Sequence, residues 1–139
     1  MSQHDSVSLY YLDLMAINPK REEFRSPPVR VLVDTGAELS WLPAEILAAI
    51  GVHPRRKRAF TLADGRTLVR EVGFCILAAE GFETIDEVVF AHPRDLHLLG
   101  VHTLERFGVN VDPEAHRLIA RPSVAAGNVL GESLRKRVA

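Results

Sequence analysis

Asp34, Thr35 and Gly36 follow one another at the end of the apolar, β-branched run of residues 29–33. A carboxylate at a strand end can take or give a proton, and a glycine beside it lets backbone or ligand come close. Water attacks an unactivated amide only with such help, from one carboxylate acting as base and one neutral carboxylic acid acting as donor. Asp, Thr and Gly also favour turns, so the triplet alone fits a plain strand-end turn. A second element stands about 60 residues on, where Leu98-Leu99-Gly100 leads into the short helical pattern of residues 101–107. Between the two lies Ala63-Asp64-Gly65-Arg66, whose Asp-Gly is a strong hairpin signal.

The elements that have to position these residues are mostly short strands. Along residues 7–17 two alternating sets, Val7, Leu9, Tyr11, Asp13, Met15 and Ile17 against Ser8, Tyr10, Leu12, Leu14 and Ala16, are both largely apolar. That predicts a strand covered on both faces. Asn18-Pro19 ends it, and residues 20–28, charged and then Pro27-Pro28, form a loop. Residues 29–33 are a strand that delivers the chain into Asp34. Pro43 is expected as the first residue of a helix over residues 43–50, with Gly51 as its left-handed stop. Residues 59–62 and 67–79 are extended segments around the 63–66 turn, Gly81 marks a second turn, and residues 84–90 are another strand. Residues 96–99 are a brief apolar stretch, residues 101–107 a helix closed by Gly108, and residues 109–111 and 117–120 a last hairpin. The fold class is mainly β, a barrel-like domain with two short helices. Residues 1–121 read as this domain and residues 122–139, small, polar and finally basic, as a tail with the composition of a disordered segment.

The apolar strand into Asp34-Thr35-Gly36-Ala37, the Asp-Gly turn and Leu98-Leu99-Gly100 before a helix resemble, in order and spacing, the retropepsin-like aspartic proteases. This is the single-domain, retroviral-type family, and its bacterial and archaeal members are the most similar. The resemblance covers about residues 7–120. It implies a retropepsin-like acid-protease barrel, with the 63–66 hairpin as a flap, and an aspartic endopeptidase that needs no cofactor. Aspartic proteases as a class pair two carboxyls, because like charges about 3 Å apart do not both ionise and so share a proton. The sequence holds one Asp-Thr-Gly and no second Asp-Thr/Ser-Gly. The resemblance therefore implies a homodimer with an Asp34 pair on its two-fold axis. Asp34, Thr35 and Gly36 are the implied catalytic residues, Thr35 linking the two loops through its hydroxyl. Ala37, Glu38, Ala63, Asp64, Gly65, Leu99 and Gly100 are the implied contacts to a peptide or protein substrate.

Two features depart from the retroviral pattern. Val101 stands where an arginine follows the Leu/Ile-Gly element, so Glu38, at the position of that arginine's acid partner, is expected to lose its ion pair. The flap tip carries Asp64 and Arg66 instead of a glycine-rich stretch, which implies other substrate contacts and lower mobility. Trp41 lies near a subsite-lining position and equally suits a core. A different class of function keeps the same residues, namely a non-proteolytic module that uses the fold for dimerisation or peptide binding.

A chain of 139 residues with 47% hydrophobic and 25% charged side chains suits one globular domain. Seventeen basic against eighteen acidic residues leave a formal net charge of -1, so no global field favours nucleic acid or an anionic membrane as partner. Arg55-Arg56-Lys57-Arg58 is a short basic run without interleaved aromatics and is read as a solvated face. His92, His97 and His102 recur every five residues and share no face, so no metal is expected. Cys75, the single cysteine, lies in an apolar run that predicts a buried, inert thiol. The first residues lack a secretory pattern, and no apolar run reaches the roughly 20 residues of a spanning helix, so a soluble, cytoplasmic setting is expected.

Overall fold

Short runs of alternating apolar residues, broken by Gly, Pro and Asp, leave this chain little choice but extended segments joined by tight turns. The computed structural model describes residues 8–125. In chain order it has β1 (Ser8–Ile17), β2 (Val29–Asp34), β3 (Ser40–Pro43), α1 (Ala44–Ala49), β4 (Arg56–Thr61), β5 (Thr67–Ala79) and β6 (Phe82–Ala91). β7 (Leu98–Leu99), α2 (Val101–Phe107), β8 (Val109–Asp112) and β9 (Arg117–Ala120) follow. Seven strands form one sheet in the order β1-β2-β7-β3-β6-β5-β4, and an added pairing of β1 with β5 curls it into a barrel. β8 and β9 are a separate hairpin. The expected tail from residue 122 lies, beyond residue 125, outside the described residues.

Leu14, Val31, Val33, Leu42, Leu77 and Leu99 come from five strands and are fully buried together in one core. β1 departs from the expectation of two covered faces. Tyr10, Leu12, Leu14 and Ala16 point into the core, while Tyr11 is 55% exposed and Asp13 faces solvent beside Arg30. A strand of a curled antiparallel sheet needs only its inner face apolar, and Arg30 laid over the Tyr11 ring covers part of the outer one. Pro43 also departs. It is the last residue of β3, paired with Ala91, and only then the cap of α1. Its φ of -55° suits an extended strand end as well as a helix start. The β5–β6 turn places both Glu80 (φ 53°) and Gly81 (φ 87°) in the left-handed region, as a two-residue turn matching strand twist requires.

Cys75 is fully buried, its Sγ donates to the Ile17 carbonyl at 3.4 Å, and burial pushes its thiol up to about 11, which makes it structural, as the sequence predicts. No helix among the described residues is long and apolar enough to cross a membrane.

The β8–β9 hairpin docks on β1 through the Tyr10 ring, stacked on His116 at 5.1 Å, and on the β5–β6 turn through the Leu118 N–H, which donates to Glu80 Oε1 at 2.8 Å. The Tyr10 hydroxyl is buried, with no hydrogen-bond partner among the described residues. Burial first, and then the charges of Glu80 and Asp112, push it up to about 12. The folded state thus favours the neutral phenol. Its contribution is complete below the ordinary tyrosine value of 10.0 and is lost as pH rises to about 12. Denaturant unfolding is expected to show falling stability across that alkaline window in the wild type and a smaller fall in Tyr10→Phe. Equal falls in both proteins contradict this account.

Candidate active site

β7 runs parallel to β2, with Leu32 beside Leu98 and Val33 beside Leu99, and antiparallel to β3 at Trp41 and Leu98. It therefore lies between the two strands that residues 35–39 connect, and that loop has to cross its end. Inward-facing Val31 and Val33 fix β2, which ends on Asp34. The Gly36 N–H donates to Asp34 Oδ1 at 2.9 Å and the Ala37 N–H to the Asp34 carbonyl at 3.1 Å. These two bonds aim the carboxylate out of the strand end, where Asp34 is partly exposed and Thr35 and Gly36 are exposed.

Gly100 is where the loop meets the helix. A Cβ there would lie 2.5 Å from the Leu39 carbonyl oxygen and 3.0 Å from that of Ala37, so no side chain fits. At that closeness the first N–H groups of α2 reach the loop. Val101 donates to the Ala37 carbonyl at 2.8 Å and His102 to the Glu38 carbonyl at 3.0 Å. Donors that a helix start leaves without partners are here satisfied by the loop that follows Asp34.

A buried polar chain continues behind it. The Gly100 N–H donates to Ser40 Oγ at 3.0 Å, Ser40 Oγ lies 2.7 Å from Thr103 Oγ1, and Thr103 Oγ1 donates to Asp86 Oδ2 at 2.9 Å. Thr103 has one hydroxyl proton and gives it to the carboxylate, so the Ser40 hydroxyl is the donor to Thr103. Asp86 is 5% exposed, and its other oxygen takes the Glu87 N–H and faces His102 Nδ1 at 3.0 Å.

The β4–β5 hairpin covers this region. Its register sets Phe60 opposite Leu68 and Arg58 opposite Arg70, and the Phe60 ring packs 5.2 Å from half-buried Trp41. Two guanidinium groups directly across a sheet repel. Each is held by acids from the body of the domain. Arg58 meets Glu87 at 3.1 Å and Glu38 at 3.6 Å, and Arg70 makes a two-pronged pair with Asp95 at 2.6 and 2.9 Å. The ion pair between Glu38 and position 101 is absent, as expected with Val101 there, and Glu38 meets Arg58 of the hairpin instead. At the tip the Gly65 N–H donates to the Leu62 carbonyl and Gly65 has a φ of 89°. Arg66 bonds Asp64 through its backbone N–H, the larger cause, and its side chain, which holds that carboxyl below the usual range.

The structure thus brings Asp34, Thr35, Gly36, Ala37 and Glu38 onto one surface loop and places Glu38 against the hairpin. Ala63, Asp64 and Gly65 are exposed at the hairpin tip. Leu99 and Gly100 are buried beneath the loop, where they support it. Sequence reasoning missed Ser40, Asp86, Thr103 and Arg58. Asp86 alone left a signal, an acid in alternation with the apolar Val88 and Phe90 on the core-facing side of its strand. Among the described residues no group of three His, Cys, Asp or Glu is placed to hold a metal.

The hydrogen bonds of Arg70 hold the Asp95 carboxyl below its usual range, so the pair is complete above the ordinary carboxylate value and is lost only as pH falls through the lowered one. At neutral pH, Asp95→Asn is expected to cost the hairpin base about 1.5–3 kcal/mol and to speed amide exchange over residues 58–70 roughly ten- to a hundredfold. Unchanged exchange contradicts a clamp at Arg70.

Comparison with known proteins follows the same lines. A family model described as "gag-polyprotein putative aspartyl protease" matches residues 23–106, from the loop before β2 to the last turn of α2. Among solved structures, "EIAV protease complexed with the inhibitor HBY-793" is similar, at 16% identity and a TM-score of 0.47, over 84% of this chain and 93% of that one. No curated protein matches. The family match spans more than half of the chain and takes in Asp34-Thr35-Gly36, the β4–β5 hairpin and Leu98-Leu99-Gly100; the chain belongs to the retroviral-type aspartyl protease family.

Proposed function

We propose that the chain is one half of an aspartic endopeptidase, in which Asp34 of two copies meet on a two-fold axis and turn a water against a peptide bond. The observation that carries this reading is the Asp34 loop, turned to solvent at a strand end and held from below by the N–H groups of α2. One carboxylate of the pair takes a proton from the water as its oxygen bonds to the scissile carbonyl carbon. The neutral carboxyl of the other copy gives its proton to the carbonyl oxygen, forming a tetrahedral diol. Collapse of the diol breaks the C–N bond, the amine leaves with one proton, and the pair again holds one. The Gly36 N–H on Oδ1 fixes the attacking geometry, and Phe60, Trp41 and Glu38 under the hairpin wall the cleft for a peptide or protein substrate. The homodimer is part of the mechanism, because a single chain supplies one carboxyl of this kind.

Asp34→Asn keeps the shape and removes the proton acceptor. Cleavage of a mixed peptide library is expected to fall by roughly 10²–10⁴-fold or more. Two ionised carboxylates at an axis repel and two amides do not, so the variant is expected to associate at neutral pH as tightly as the wild type or more tightly. Cleavage at the wild-type rate, or weaker association of the variant in sedimentation at neutral pH, contradicts an Asp34 pair.

A further inference from the structure

Ser8 of β1 pairs with Asp34, and at the other end of the same strand, past Ile17, two loops and one side chain of β5 line an open surface cavity of about 310 Å³. Its charged lining is Lys20, Arg21 and Arg55, with His53 beside them and no acid, in a chain whose formal net charge is -1. The walls are fixed. Asn18, 7% exposed, accepts the N–H groups of Lys20 at 2.8 Å and Arg21 at 3.1 Å on Oδ1 and donates through Nδ2 to the Ile50 carbonyl at 2.9 Å, tying one loop to the other. A Cβ on Gly73 would lie 2.7 Å from the His53 carbonyl, and the Arg55 N–H donates to the Val72 carbonyl at 2.8 Å, so the second loop is pinned to β5. The basic run at residues 55–58 is divided by this geometry. Arg56 and Arg58 turn to Glu87, whereas the Arg55 guanidinium lies 5.5 Å from the centre of the Phe74 ring, which is 46% exposed. Arg21 meets Glu23 at 3.6 Å on the exposed side.

Cations around an aromatic and prolyl floor suit a ligand with carboxylates and an apolar side chain. A small inorganic anion would leave the floor unused. The exposed aromatics here, Phe74 beside Arg55 and Phe24 beside Arg21, each face a single cation and form no row of stacking platforms for a nucleic-acid strand. We propose that this cavity is an exosite, remote from Asp34, that binds an acidic segment of the protein substrate. Carboxylates of that segment pair with Lys20, Arg21 and Arg55, and an apolar side chain lies on Phe74. The inference rests on the protease reading.

The test is fluorescence anisotropy of a short fluorescein-labelled peptide, rich in Glu with one Phe, titrated with the full chain. The same peptide with Gln for Glu, a single-stranded DNA oligomer and inorganic phosphate serve as competitors. Binding is expected for the Glu peptide, to weaken as salt rises, and to fall at least about tenfold in Lys20→Glu and in Arg55→Glu. Cleavage of a short neutral peptide is expected to be equal in wild type and variants, while KM for a protein carrying an acidic segment rises in the variants at unchanged kcat. Equal binding of the Gln peptide, binding indifferent to salt and to both substitutions, or displacement of the Glu peptide more readily by DNA or phosphate than by unlabelled Glu peptide overturns the exosite. A wild type that cleaves no peptide defeats the protease reading, and the anisotropy still decides the acidic-segment site.

Discussion

Between Gly100 and the Leu39 carbonyl there is room for a hydrogen and nothing larger, since a Cβ would stand 2.5 Å from that oxygen. The approach lets the start of α2 donate to the carbonyls of Ala37 and Glu38, and a helix start carries partial positive charge that such carbonyls meet favourably. With the loop held at those two points, the Gly36 N–H adds a third by bonding the Asp34 carboxylate. Any larger residue at position 100 pushes helix and loop apart, and the loss reaches Asp34 through backbone alone.

The polar chain from Gly100 through Ser40 and Thr103 to Asp86 does a different job. Each neutral hydrogen bond is worth about 1 kcal/mol net, but a buried member left without its partner costs more than the bond was worth. Such a chain therefore tolerates one arrangement and penalises others, which sets the register between β3, β6 and α2. The arginine pair across β4 and β5 works on the same principle in a more exposed place. Arg58 and Arg70 repel, and only when Glu87, Glu38 and Asp95 stand where they do is the hairpin held over the loop.

Local chemistry explains how much of this was legible in the sequence. An apolar β-branched run into Asp34-Thr35-Gly36, an Asp-Gly turn, and Leu98-Leu99-Gly100 before a helix closed by Gly108 each depend on neighbours a few residues away. The structure places the first at the end of β2, the second between β4 and β5, and the third at β7 and α2. β3 was not legible, because Pro43 suits a helix start as well as a strand end, and the pairing of Ser40–Pro43 with β6 is made with residues more than forty positions away. The outer face of β1 misled for the opposite reason, since Tyr11 is largely apolar without being buried. The loss of an arginine at position 101 was legible, whereas the cation that Glu38 meets, Arg58, stands on another strand that no family position points to. Ser40, Thr103 and Asp86 are separated by up to 63 residues, and no spacing rule joins them.

The proposed function depends on two chains sharing one reaction. Wild-type chains and Asp34→Asn chains, unfolded together and refolded at equal amounts, report on this through peptide cleavage. If catalysis needs Asp34 from both members of a dimer, random pairing leaves about one quarter of the activity of the same total amount of wild type, or less where the variant pairs more tightly. Activity that instead falls in proportion to the wild-type fraction, to about one half, shows that each chain works alone and contradicts the Asp34 pair.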